Sequence, residues 1–150
     1  MKLEFIPVDE SIKEKVLSLH GAKGQEGYVE SVAQCLKEAQ ARADWRPVGI
    51  FDQERLVGFA MYGYFKEYPP KGRVWLDRFL ICEQEQHKGY GKVAVQQLTQ
   101  KLLQEYQVDE IYLSVVEGNE VAENLYTELG YHKNGEKDEH GEHVMVYQAK

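Results

Sequence analysis

No apolar run in the chain approaches the length needed to span a bilayer, and the first residues, MKLEFIPVDES, lack the apolar stretch and cleavage site of a secretory leader. These absences lead to the expectation of a cytoplasmic protein without a membrane partner. Cysteine is scarce: there are only two, Cys35 in a segment of helical spacing and Cys82 in a strand-like run, so no disulfide framework is expected. Proline is scarce too, four in 150 residues, and no low-complexity linker or internal repeat interrupts the pattern. Positive charge is the minority sign. Eighteen Lys and Arg stand against 25 Asp and Glu, a formal net charge of −7. A phosphate backbone calls for a basic face, so nucleic acid is not expected as a partner, whereas a cationic one is favoured by long-range attraction. The run His140-Gly-Glu-His143 brings two imidazoles together without a third ligand of suitable spacing, and no metal site is expected.

What is present is ordinary globular material, 43% hydrophobic and 29% charged. At this length it reads as one domain, residues 1–150, able to bury a core without staples. Periodicity predicts a strand over 3–8 and a helix from Ser11, where Ser11-Ile-Lys-Glu14 fits a capping box. A glycine-rich break follows at 20–27, then a helix over 28–43. Strands over 48–51 and 56–65 are read as a hairpin with a four-residue connection, and a third strand covers 73–82. After a helix over 91–106 come a strand over 110–116, a short helix over 121–129 stopped by Gly130, and strands over 131–136 and 143–148. Tight turns predict antiparallel pairing for the three middle strands, and the strand–helix–strand from 74 to 116 predicts a parallel crossover. The fold class is therefore α/β: a mixed, mostly antiparallel sheet with helices on both faces.

The chain is organised around Asp77–Lys92, DRFLICEQEQHKGYGK. An apolar strand, Phe79-Leu80-Ile81-Cys82, feeds a loop with Gly89 and Gly91, which opens onto a helix. Glycines let backbone approach a ligand closely, converging N–H groups cradle an anion, and the helix end adds partial positive charge. Within it, Gln86-His87-Lys88-Gly89-Tyr90-Gly91 reads Q-x-x-G-x-G, and Asn119 to Tyr131 reads N-x-x-A-x-x-x-Y-x-x-x-G-Y. Two such motifs in this order, separated by a strand and a helix, resemble the acetyl-CoA motifs of the GNAT (GCN5-related) N-acetyltransferases. The resemblance covers the chain from about Leu3 onward. Trp45-Arg-Pro-Val and Gly72-Arg-Val-Trp-Leu-Asp-Arg-Phe-Leu-Ile81 resemble the bacterial spermine/spermidine acetyltransferases of the Blt type.

That resemblance implies a GNAT fold and direct acetyl transfer from acetyl-CoA, as co-substrate, to a primary amine of spermidine or spermine. It places the pyrophosphate on N–H groups from Gln86 to Gly91, with Lys88 and Lys92 adding charge at the rim. The pantetheine arm would lie along Phe79, Leu80 and Ile81, where a free N–H near Leu80 or Ile81 would meet the developing oxyanion. Tyr126 matches the general acid for the leaving thiolate, and Asn119 a side chain that bonds the cofactor's amide arm; Asn119 also suits a plain helix cap. Asp77 matches a substrate-side carboxylate, and Glu26, beside Gln25, belongs to the loop that walls the acceptor site. Glu67, Tyr62 and Tyr64 are candidates for a groove around the methylenes, subject to strand register. Cys82 is read as packing. Many relatives form homodimers. Other readings stay open: another small amine or a protein N-terminus as acceptor, or a module that senses acyl-CoA without turnover.

Overall fold

The computed structural model describes residues 2–19, 32–69 and 71–149. The glycine-rich break with Gln25 and Glu26, and the start of the second helix, lie outside these residues. The elements run β1 (Glu4–Pro7), α1 (Lys13–Leu17), α2 (Val32–Ala41), β2 (Trp45–Asp52), β3 (Arg55–Phe65), β4 (Arg73–Ile81), a 3₁₀ turn (Glu83–Glu85), α3 (Tyr90–Tyr106), β5 (Glu110–Val115), α4 (Glu120–Glu128), β6 (His132–Lys137) and β7 (His143–Gln148). The strands form one sheet in the order β1-β2-β3-β4-β5-β7-β6. Every neighbouring pair is antiparallel except β4·β5. The predicted element order and fold class are thus observed.

Three local expectations are corrected. Ser11 does not cap α1: Ile12 holds the cap position with no side-chain bond, while the Ser11 N–H and hydroxyl both donate to Asp9 Oδ1. The first hairpin has a two-residue turn, Gln53-Glu54, because pairing continues to Asp52↔Arg55 and Gln53 takes the left-handed conformation at φ 59°. The second strand starts at Trp45 rather than Val48, despite Pro47. The Pro47 carbonyl accepts from Val8 N–H on the β1 side. Its missing N–H falls on that same side, at the end of β1, and the β3 ladder is undisturbed.

The sheet divides the core in two. On one face α3 buries Ala94, Val95, Leu98 and Leu102 completely against Val57, Ala60, Val74, Ile111 and Leu113. On the other, Val16 of α1 and Val32, Cys35 and Leu36 of α2 cover Phe59 and Met61. Each large side chain so buried contributes about 1.5–3 kcal/mol. The cysteines are buried and unbridged. Tyr62 and Tyr64 face α3, where both rings lie 6.3 Å from Tyr106, so neither borders the open face of β4.

The β3–β4 seam tolerates no side chain at Gly58, where an added Cβ would stand 2.4 Å from the Leu80 backbone oxygen. Since the backbone of β4 cannot yield without shifting its ladder, Gly58→Ala is expected to cost about 2–4 kcal/mol of stability. Urea unfolding would show a lower midpoint at unchanged slope; a loss below about 1 kcal/mol would mean that the seam adjusts freely.

Candidate active site

The parallel pair β4·β5 registers at one point, Trp75↔Tyr112. Beyond it the two strands diverge, and a cleft of about 960 Å³ opens between them, lined by Asp77–Ile81 on one side and Ser114–Val116 on the other. The cleft runs from the loop before α3 to the β6–β7 hairpin and takes in Asn119, Leu125 and Tyr126 of the α4 segment.

At the loop end, Cys82 and Gln86 are extended, His87 is left-handed at φ 65°, and Gly89 is left-handed at φ 87° as the cap of α3. The Gln86 side chain donates to the Ile81 carbonyl at 2.9 Å and ties the loop to the strand that feeds it. First-turn N–H groups of α3, from Tyr90 to Lys92, have no carbonyl in their own helix. A Cβ on Gly91 would meet only Leu125 at 3.7 Å, so the glycine leaves open the space between α3 and α4. N–H groups converging on a bare glycine surface fit a pyrophosphate, and the residues present fit acetyl-CoA here. Gln86, His87, Gly89, Tyr90 and Gly91 line the cleft as expected. Lys88 and Lys92 do not. Lys88 pairs with Glu85 at 2.9 Å and Lys92 with Glu128 at 3.7 Å, so carboxylates of this chain already hold the expected rim cations.

Along β4, Cys82 N–H donates to the Val57 carbonyl on the β3 side. Antiparallel alternation then turns Leu80 toward β3 as well, and turns Phe79 and Ile81 toward the cleft. The cleft-side position of the Ile81 carbonyl, bonded to Gln86, agrees. Of the two N–H groups expected near the acetyl group, only that of Ile81 faces the right way.

The side chains obey a second irregularity. Met61 pairs with Arg78 and Tyr62 with Leu76, so Asp77 is an extra residue in β4. Such a bulge re-aims the chain. Phe79 and Ile81 pack toward α3, and Leu80 packs with the α1–α2 core. Counting back from Leu80 puts Arg78 on the α1–α2 face; counting forward from Trp75, which packs with Phe65 on that same face, puts Asp77 there too. Two consecutive side chains therefore share the α1–α2 face. Arg78 donates to Asp77 and, at 3.3 Å, to Glu38 of α2.

Tyr126 is half-buried in the cleft wall, its ring 6.0 Å from that of Tyr131. Burial pushes its phenol up to about 12. Asn119 is the cap of α4. Its Oδ1 caps α4 by accepting from Ala122 N–H at 3.3 Å, which leaves the side-chain NH₂ as a donor at the cleft. Cys82 is buried, and burial raises its thiol above the usual range, so it is poorly suited to act as a nucleophile.

The other end of the cleft holds Glu67, which the sequence singled out, and several groups that it did not. Glu38 comes from α2 and Arg42 from just after it, Glu67 and Tyr68 from the turn after β3, and Glu136, Asp138, Glu139 and Glu142 from the β6–β7 hairpin. Arg42 grips Glu67 through two bonds of 2.8 and 2.7 Å, and Arg73 grips Glu136 at 3.1 and 2.9 Å. The dense charge of 136–142 was the available signal; without the topology it reads as a solvated turn. Among the described residues, eight carboxylates and four Lys or Arg side chains line the cleft. That balance favours a cationic guest.

Residues 14–131 match the family described as Acetyltransferase (GNAT). The chain is 43% identical over 149 residues to spermine/spermidine N(1)-acetyltransferase of Bacillus subtilis (strain 168), with 97% of this chain and 98% of that protein covered. Among solved structures it resembles spermidine N-acetyltransferase from Vibrio cholerae in complex with CoA and spermine, at TM-score 0.74 and 17% identity over 97% of this chain and 95% of that one. It also resembles an aminoglycoside acetyltransferase in complex with coenzyme A, at TM-score 0.81 and 16% identity over 98% and 95% of the two chains. The two structural likenesses concern the fold.

Proposed function

The chain belongs to the acetyltransferase (GNAT) family, and on that premise we propose that it acetylates a primary amine of a polyamine, spermidine or spermine, with acetyl-CoA as donor. The observation that carries the acceptor is the acidic end of the cleft, continuous with the gap between β4 and β5. An extended chain of methylenes and ammonium groups fits a groove edged by carboxylates and by Tyr68, Trp75 and Phe65. The relative at 43% identity, named for the same substrates, supports this reading.

In this reading, Gln86–Gly91 hold the pyrophosphate and Asn119 donates to the amide arm. Asp77 binds the reacting ammonium and takes its proton, directly or through water. The freed amine attacks the thioester carbon, the Ile81 N–H stabilises the oxyanion, and the C–S bond breaks as Tyr126 gives its proton to the departing sulfur; the attached nitrogen then passes its extra proton to the Tyr126 phenolate, leaving the neutral amide. The nearness of Arg78 to Asp77 means that an incoming ammonium competes with a guanidinium for the carboxylate. The reading includes an enzyme of the cytoplasm and, as in many relatives, a homodimer, which light scattering of the purified protein decides.

The test is thiol release from acetyl-CoA with spermine, spermidine, putrescine, a lysine peptide and an aminoglycoside. Spermine and spermidine are expected to give kcat/KM at least about a hundredfold above the peptide. Turnover of the peptide or the aminoglycoside alone would discard the acceptor. Tight acetyl-CoA binding with no turnover of any amine would favour a sensing role instead.

A further inference from the structure

Tyr90 sits inside the glycine motif, at the first position of α3, and its ring is buried with 4% exposure. Its hydroxyl faces away from the loop backbone toward the β2–β3 turn. It donates to Asp52 Oδ2 at 2.5 Å and accepts from Arg55 at 2.7 Å. Arg55 continues to Glu85 at 3.5 Å, and Glu85 to Lys88 at 2.9 Å. Asp52 and Arg55 flank a hairpin turn more than 30 residues earlier in the chain. The connection is thus between a rigid two-residue turn and the loop that would hold the pyrophosphate.

The charges matter as much as the bonds. Glu85 is 8% exposed and stands in the 3₁₀ turn that leads into the loop. Asp52 lies on the other side of Tyr90. Uncompensated, two carboxylates so close would repel an anionic guest. Arg55 lies between them, 4.0 Å from Asp52 and 3.5 Å from Glu85, and Lys88 covers the second Glu85 oxygen. This explains why Lys88 is held away from the cleft.

We propose that Tyr90 and Arg55 are positioning residues for the nucleotide half of acetyl-CoA: the β2–β3 turn, through the Asp52–Tyr90–Arg55–Glu85 chain, fixes the loop and neutralises the carboxylates behind it. The inference rests on acetyl-CoA as the donor but not on any particular acceptor. Because the chain reaches the loop and not β4, it governs the pyrophosphate end and leaves the pantetheine groove alone.

The experiment measures calorimetric Kd for CoA, together with kcat/KM for acetyl-CoA and for S-acetylpantetheine, which lacks the adenosine and all three phosphates. Tyr90→Phe keeps the ring, removes both charge-assisted bonds of the hydroxyl, and is expected to weaken CoA binding about tenfold. KM for acetyl-CoA should rise in step, kcat at saturation should stay within about twofold, and kcat/KM for S-acetylpantetheine should not move. Arg55→Ala should lose more than Tyr90→Phe, and Arg55→Lys should recover part of it, since charge returns without the fork. Equal losses on both donors would reduce the chain to general packing and overturn the proposal, as would an unchanged Kd in Arg55→Ala. Absent turnover in the wild type would sink the enzyme reading, while the Kd series would still decide this one.

Discussion

Replacing Tyr126 by Phe is expected to lower kcat about 10²–10³-fold while KM for acetyl-CoA changes little, the pattern of a proton lost from the transition state alone. The substitution is unusually clean. No side-chain hydrogen bond to a described residue involves the Tyr126 hydroxyl, and Phe preserves the ring contact with Tyr131. Stability should therefore hold within about 0.5 kcal/mol, so a fall in rate would report chemistry. Burial holds the phenol protonated up to about 12. The acid form is the competent one, so this residue gives no alkaline limb in kcat over the pH range usually assayed. In water such a phenol would be a poor donor to a thiolate, whose ordinary pKa is about 8.5. The same desolvation makes the thiolate a stronger base, however, and narrows the gap where the bond breaks. A kcat within about threefold of wild type in the Phe variant would assign Tyr126 to packing and leave the leaving group to water.

The second large effect concerns Asp77. Asp77→Asn is expected to reduce kcat/KM for spermidine about a hundredfold near pH 7, with KM for acetyl-CoA unchanged. An alkyl ammonium titrates near pH ~10.4, so free amine in solution grows about tenfold per unit from pH 7 to 9. A variant that has lost its base should follow that rise, and the wild type less so; the defect should shrink as pH increases. If Asp77 served only to pair with Arg78, the defect would be independent of pH and would appear in thermal stability. The Asn variant also removes one of the two carboxylates beside Arg78, leaving Glu38 to balance it, which adds to the rise in KM for the amine.

The sequence revealed the order of elements because periodicity and turn chemistry agreed along nearly the whole chain. It pointed to one end of the cleft because the Gln86–Gly91 and Asn119–Tyr131 patterns are local, and residues of both line it. It failed where position depends on an irregularity or on distant chain. The bulge at Asp77 leaves no mark in the spacing, yet it decides that Asp77 and Arg78 share a face. Tyr62 and Tyr64 suited a groove by composition but point to α3, one register step from the guess. Lys88 and Lys92 looked free because their partners Glu85 and Glu128 could not be known beforehand. The carboxylates at 136–142 became part of the cleft only when the last hairpin folded back beside β5.

A sheet joined through Trp75↔Tyr112 alone has a seam along which one portion can change while the other is left as it was. On one side of it lie β4 and the loop before α3. On the other lie β5 and the β6–β7 hairpin, whose exposed, charge-rich residues edge the cleft. A change in the hairpin reaches β4 through a single rung, so the hairpin can alter its charge with little displacement of β4.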